Sequence, residues 1–217
     1  MILAICGLGG TGREILELAK ELNKVSHRWD SYIFIDKDTE RNSFQGCPSM
    51  DMETALGKYA KDEILFTIAL GEPYLREKVY HEVIDNGYSL ATLVHPNVHI
   101  PDSTTLGQGV IVSSGSFISV DSVIEDNVLI QPTTTIAHDA YVGKHCVIAS
   151  GSTIAGNCKI GEKTFIAIQS ALIQGITVGK SVIVGMGAMV HADVTDEVVV
   201  LGNPARVVKK NVSHKVF

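Results

Sequence analysis

The sequence is short of aromatic residues, with 13 Phe, Trp and Tyr among 217 positions and one Trp. It holds four cysteines, Cys6, Cys47, Cys146 and Cys158, none in a C-x-x-C pair. That spacing excludes a disulfide framework and a structural zinc site, and it suits a reducing cytosol. No apolar run approaches the roughly 18 residues of a membrane span, so membrane insertion is not expected. Met1–Gly10 is apolar but has no basic leader or cleavage site, and it reads as a first strand. Basic charge is in deficit, with 18 Lys and Arg against 24 Asp and Glu and a net charge of −6. No basic face therefore invites nucleic acid or an anionic membrane, and Lys209, Lys210 and Lys215 read as a solvated tail. These absences leave a cytoplasmic globular chain.

What remains is aliphatic. Val contributes 24 residues and Ile 22, a composition of stacked β-structure rather than of a helical bundle. Charge is uneven, since residues 1–93 hold 25 of the 42 charged side chains. The change in density divides the chain into residues 1–93 and residues 94–217.

In the first part an apolar run, Ile2–Cys6, leads into Gly7-Leu8-Gly9-Gly10-Thr11-Gly12 and then into helical spacing over Arg13–Lys24. Strands are expected at Ser31–Asp36, Glu63–Leu70 and Ser89–Val94, and helices at Asp51–Ala60 and Pro73–Asn86. The order β-α-β-α-β-α-β predicts a small parallel sheet with helices on both faces, about half of a full dinucleotide fold. Gly7, Gly9 and Gly12 satisfy G-x-G-x-x-G between a strand and a helix, where backbone amides attract phosphate. Asp36 ends the next strand, in position to bind a ribose hydroxyl. A mononucleotide or nucleotide-sugar fits this half-fold better than a dinucleotide.

From Val94 an aliphatic residue recurs at every sixth position, through Ile136, Val142 and Ile148 to Val190, in all 17 positions. The residue four further on is small or aliphatic, and Cys146 and Cys158 fall there as core filler. A strict period of six is the signature of a β-helix in which three hexads make one triangular coil of 18 residues.

The hexads Val142-Gly143, Ile160-Gly161, Val178-Gly179 and Val184-Gly185 resemble those of the left-handed β-helix acyltransferases. GLGGTGRE from Gly7, ALGEPYLR at Ala69–Arg76, IAHDAYVG at Ile136–Gly143 and LGNPAR at Leu201–Arg206 narrow the likeness. Together they resemble the bacterial sugar O-acyltransferase and sialic acid O-acetyltransferase family, closest to its nucleotide-linked amino-sugar N-acetyltransferases. The resemblance covers nearly the whole chain. It implies a half-Rossmann domain followed by a left-handed parallel β-helix, homotrimers with sites between subunits, and acetyl transfer from acetyl-CoA for surface glycan synthesis. The acceptor it implies is the amino group, at C4, of a nucleotide-linked amino-dideoxy sugar. Acetylation of a sialic acid or other sugar hydroxyl is the same-class rival, and a non-catalytic nucleotide-sugar-binding trimer the rival from another class.

The family's general base is the histidine of a His-Asp or His-Glu pair, which implies His138 as base and Asp139 as its acid. His138 lies two residues after the inward Ile136 and so points outward, but adjacent residues on a flat strand face opposite ways. The pair therefore requires a corner. Gly156 lies 18 residues on and leaves space above the base for a thioester. Ile168 and Met186 also differ by 18, and with Gly156 and Gly187 they match acetyl-CoA-binding positions. The nucleotide-sugar falls to Gly9, Gly10, Thr11, Asp36, Lys37 and Gly71, with Gln131 reaching the sugar. Three positions depart from the family. Val147 stands for a second histidine near the thioester, Gln131 for an asparagine, and Thr11 for a histidine in the glycine turn. Zinc between subunits, as in γ-class carbonic anhydrases, needs histidines five apart on one coil. His138 and His145 are seven apart, and His95 and His99 four, so no metal is expected. The fall in charge after residue 93 is assigned to two prism faces that pack against neighbours in a trimer.

Overall fold

The structure is a computed structural model that describes residues 1–38 and 43–216. The chain opens with β1 (Ile2–Cys6) and enters α1 (Gly10–Ser26), whose buried stripe is Ile15, Leu16, Leu18 and Ala19, the spacing of one helical face. There follow β2 (Ser31–Ile35), β3 (Ser43–Phe44), β4 (Cys47–Met50), α2 (Met52–Lys58), β5 (Ile64–Ile68) and α3 (Pro73–Asp85). Asp51 caps α2 by accepting the Thr54 N–H at 2.7 Å, and Pro73 opens α3, where its missing N–H has no intrahelical partner to lose. The strands pair in the order β3-β4-β2-β1-β5, parallel except for the β3–β4 hairpin.

The expected parallel sheet is present, but its fourth parallel strand is not Ser89–Val94. Only Leu90 of that segment bridges to the sheet, through Phe66, and Leu93–Val94 pairs with Ile111–Val112 in the next unit. The fourth parallel strand is β4, where Ser49 and Met50 register with Phe34 and Ile35. Pro48 lies just outside that registered pair, opposite Ser43 of β3.

Sixteen two-residue strands, from β6 (Leu93–Val94) to β21 (Met189–Val190), form the second unit. The second residue of each belongs to the period-six aliphatic series, and Ile100 alone of that series lies outside a strand. Partners are 18 residues apart, as in Val123 with Tyr141, Leu129 with Val147 and Thr135 with Thr153. The strands thus stack into three parallel sheets, the faces of a prism. The first face carries Ile124, Val142 and Ile160 inward, the second Ile130, Ile148 and Ile166, and the third Ile118, Ile136 and Ile154, all at most 2% exposed. The second face is extended by β22 (Val198–Leu201) and the antiparallel β23 (Arg206–Lys210).

Each strand from β7 (Thr105–Leu106) to β20 (Ile183–Val184) leads into a corner where one residue takes a left-handed conformation, among them Asn127 (φ 57°), Asp139 (φ 58°), His145 (φ 63°) and Asn157 (φ 58°). The following small residue turns inward, and its hydroxyl or thiol donates to a carbonyl 15 residues on. Cys146 Sγ reaches Gly161 O at 3.1 Å, Ser152 Oγ reaches Ala167 O at 2.8 Å and Cys158 Sγ reaches Ile173 O at 3.1 Å. The two thiols are core members, and burial pushes that of Cys146 up to about 12.

The two units share a core. On the second face the outward residues Ile111, Leu129, Val147 and Phe165 are also apolar, and they pack with Leu3, Leu16, Trp29 and Phe34. Each such burial contributes about 1.5–3 kcal/mol. On the other faces the equivalent Phe117 and Tyr141 remain 60% and 39% exposed.

α3 is fastened to the edge between the first and second faces. Arg76, fully buried, donates from Nε and Nη2 to Asn127 O at 3.0 and 2.7 Å, and from Nη2 to Asn127 Oδ1 at 2.7 Å. Nη1 donates to Ile68 O and to Leu70 O in the other unit. Asn127 returns a bond from Nδ2 to Arg76 O at 3.1 Å and donates to His145 Nδ1 at 3.0 Å. Tyr80 packs edge-on against the His145 ring and bonds Asp126, and Lys163 pairs with Glu77 at 2.9 Å.

Two outcomes follow from this clamp. Arg76→Met leaves several buried carbonyls unpaired and lowers stability by about 3–5 kcal/mol in urea titrations, given a cost of about 1–3 kcal/mol for each buried polar group left unsatisfied. His145 is held neutral, because burial and the nearby Arg76, His81 and Lys163 lower it to about 4 against an opposing pull from Glu77. The unfolded chain takes up that proton near pH 6.5, so stability is full above pH 6.5 and falls as pH drops towards 4. The loss is on the order of 3 kcal/mol. Comparison with His145→Gln at pH 7.5 and pH 5 isolates it, the wild type losing more on acidification than the variant.

Candidate active site

His138 and Asp139 follow the third-face strand Thr135–Ile136 and precede the first-face strand Tyr141–Val142. The corner that the pair requires is there. The left-handed backbone of Asp139 swings its carboxylate alongside the imidazole, and His138 Nδ1 lies 2.7 Å from Asp139 Oδ2. The side chains are 48% and 52% exposed. With the Nδ1 proton directed at the carboxylate, Nε2 is left as the basic nitrogen facing outward.

Gly156 is stacked directly on this corner. A Cβ placed there would lie 2.6 Å from both Cε1 and Nε2 of His138, inside van der Waals contact, so the imidazole keeps its position because residue 156 has no side chain. Val147 is fully buried against α1 and the sheet, and it offers no polar group to this corner.

Gln131, Ile168, Met186 and Gly187 lie on a different edge, following second-face strands and preceding third-face ones. Gln131 Oε1 accepts from Ser150 N at 3.2 Å. Ile168 and Met186 are 45% and 73% exposed, and the Gly187 amide already donates to Ile168 O at 2.9 Å. What this edge offers a ligand is therefore chiefly apolar side chain. The two edges flank the third face, and a single chain does not bring them together.

The glycine turn is built as the sequence reading expects. Gly7 takes φ 110°, and a Cβ at Gly12 would run into the Gly7 carbonyl. Gly9 and Gly10 have open space around them, and α1 begins with no side-chain cap and no acid in its first turn. Its free amides and dipole face the turn, an anion seat. Thr11 lies in that first turn. Asp36 has a second role that the sequence did not reveal, because Oδ2 accepts the Leu8 N–H at 2.7 Å and Oδ1 the Asp38 N–H at 3.0 Å. The carboxylate thereby holds the turn in shape.

Beside the turn, at the carboxyl ends of β1, β2 and β5, lies a cavity of about 220 Å³. Gly7, Asp36 and Lys37 line it, together with Met52, Leu70, Leu75 and Val79. Gly71 follows Leu70 in open space. A ligand crevice is expected at this end of a parallel sheet.

Among the described residues one group has the spacing to hold a cation, Glu77 with His81 and His145. Within it Glu77 already pairs with Lys163 and His145 Nδ1 accepts from Asn127.

Residues 2–83 match the PglD N-terminal domain, and residues 121–156 match the bacterial transferase hexapeptide repeats. The chain is a PglD-type domain joined to a hexapeptide-repeat β-helix. Its structure is similar to the acetyltransferase domain of PglB from Neisseria gonorrhoeae FA1090, solved with acetyl coenzyme A, at 29% identity over 95% of this chain and 98% of that one, with a TM-score of 0.89. It is similar to PerB from Caulobacter crescentus in complex with CoA and GDP-perosamine, at 29% identity over 96% and 97%, with a TM-score of 0.88. WeeI from Acinetobacter baumannii AYE, at 24% identity over 96% and 100% with a TM-score of 0.70, shares the fold. The fold is that of the left-handed β-helix acetyltransferases.

In the PglD-type domain, sequence reading reached the glycine turn and Asp36 but not the α3 side of the cavity. Leu75, Lys78, Val79 and Glu82 all line it, and their spacing of three, four and seven is a helical face. That pattern was visible in ALGEPYLR and the residues after it. What it faced was not. In the hexapeptide-repeat domain the left-handed corner at Asp139 makes the His-Asp pair possible, and a period of six does not specify backbone dihedrals.

Proposed function

We propose that the protein transfers the acetyl group of acetyl-CoA to the amino group of a nucleotide-linked amino sugar. The observation that carries this reading is the His138–Asp139 pair at 2.7 Å, outward on a prism corner and roofed by a glycine. The anion seat and cavity of the PglD-type domain supply a place for the nucleotide diphosphate. Likeness to PglB with acetyl coenzyme A and to PerB with GDP-perosamine supports both halves.

In this mechanism Asp139 holds the Nδ1 proton and fixes the tautomer, so that Nε2 carries the lone pair. The sugar amine attacks the thioester carbonyl, and His138 Nε2 takes the proton the nitrogen must lose. As the C–N bond forms and the C–S bond breaks, sulfur leaves as thiolate and recovers that proton from the imidazolium. Asp139 stabilises the transient imidazolium. Gly9, Gly10 and Thr11 receive the phosphates, Asp36, Lys37 and Gly71 border the nucleoside, and Gln131 faces the sugar. Ile168, Met186 and Gly187, with Gly156 at the thioester, receive CoA. Acetyl-CoA and nucleotide sugars are both cytoplasmic metabolites, and we place the reaction there.

Because base and CoA edges lie on opposite sides of one face, the working site joins one subunit's His138 to the neighbour's Met186 edge, which a cyclic trimer provides. The C4 amine is the assigned acceptor, and a hydroxyl is the alternative that the activity panel would reveal.

Following CoA release against UDP-, GDP- and dTDP-linked amino sugars tests the reading, and silence across the panel overturns it. His138→Ala lowers kcat/KM by about 10²–10⁴. Gly156→Ala displaces the imidazole by roughly an ångström and lowers kcat by about 10²-fold, with thermal unfolding close to wild type. Trimers reassembled from equal amounts of His138→Ala and Met186→Arg subunits regain about one quarter of the sites if each site spans two chains. No recovery would place the whole site within one subunit.

A further inference from the structure

The cavity beside the glycine turn has a polarity that its position alone does not explain. Ile35, Met52, Leu75 and Val79 give it apolar walls, and alongside Asp36 and Lys37 it is lined by two charged residues of α3, Lys78 and Glu82. They are four residues apart and so share a helical face. Neither has a hydrogen bond or an ion pair through its charged group among the described residues. The Glu82 charge is felt at the fully buried Cys6 thiol on the cavity floor, which it helps to push up beyond the effect of burial. A carboxylate and an ammonium among the residues bordering an apolar cavity can serve as a recognition element for a planar group that offers donors.

This inference rests on the nucleotide-sugar reading above, in which the diphosphate sits at the α1 N-terminus and the base enters the cavity. Ionised carboxylates bind best to two parallel N–H groups. Guanine presents two such donors, N1–H and N2–H, side by side with the O6 acceptor next to them. That row matches a carboxylate followed by an ammonium. Uracil and thymine present one N–H between two carbonyls, so the second carboxylate oxygen would face a carbonyl oxygen with no proton between them. A site built around a donor pair rejects analogues that lack it, because its own buried polar group is then left unpaired.

We propose that Glu82, assisted by Lys78, selects guanine, and that the nucleotide carrying the sugar in this enzyme's substrate is guanosine diphosphate.

Calorimetric titration of the full-length protein with GDP, UDP, dTDP and 2′-deoxy-GDP tests this without requiring turnover. GDP is expected to bind about 10- to 100-fold more tightly than UDP or dTDP, the discrimination typical of one good bidentate pair. Glu82→Gln should erase that preference by weakening GDP while leaving UDP unchanged, and Lys78→Met should weaken GDP by a smaller factor. Binding of UDP or dTDP as tight as GDP in the unmodified protein overturns the proposal, whatever the variants do. So does equal weakening of all nucleotides by Glu82→Gln together with poor binding of 2′-deoxy-GDP, which would assign the carboxylate to the ribose. If UDP binds best, this proposal fails and the nucleotide-sugar reading stands. If no nucleotide binds, both fail.

Discussion

The guanidinium of Arg76 is the point from which the rest of the molecule takes its geometry. It is fully buried and donates to carbonyls on both sides of the junction, Ile68 and Leu70 in the sheet unit and Asn127 on the prism. A buried cation is tolerated only when its donors are matched, and here the acceptors belong to two separately folded elements. The loop it grips leads into Gly71, and its Leu70 lines the cavity proposed for the nucleotide. The corner it grips lies on the coil next to the one that carries His138. The proposed substrate pocket and proposed base are therefore held by a polar network with little slack, supported by the apolar bed of Ile111, Leu129, Val147 and Phe165.

The prism was legible because its constraint is one-dimensional. A side chain every sixth residue must fill the axis, and no tertiary context can relax that. The face that receives the sheet unit was legible in principle too. Residues 111, 129, 147, 165 and 183 are Ile, Leu, Val, Phe and Ile, an apolar period of 18 superimposed on that of six, whereas the corresponding outward positions of the other faces include Thr135, Thr153 and Lys159. Read that way, the low charge after residue 93 has two causes, and burial under the chain's own sheet is one of them. Ser89–Val94 was misassigned for a different reason. An apolar run marks a buried strand but does not name its sheet, and this segment crosses from one unit to the other. β4 was hidden by Pro48.

The site residues divide along the same line. His138, Asp139 and Gly156 are linked by sequence adjacency and by the coil length, so they could be related without coordinates. Asp36 ended a strand as expected, but which groups its oxygens accept depended on a turn whose path a motif does not specify. The sequence reading gave no role to Arg76 beyond the ALGEPYLR motif, and none to Lys78 or Glu82. The burial of Arg76 and the placement of Lys78 and Glu82 at a cavity arise from packing, which local spacing does not encode.

The 18-residue coil also makes the length of the second unit a quantised property. Axis residues align only with partners one coil away, and the inward hydroxyls and thiols bond carbonyls 15 positions on. Removing one residue would turn every later axial position outward and set a corner residue on the axis. Losing six would move every later strand to the next face, and with it the edge that carries Met186. Only whole coils can be gained or lost while the proposed base, the docking face and the Met186 edge keep their relative bearing, so a prism of this kind changes length in steps and never continuously.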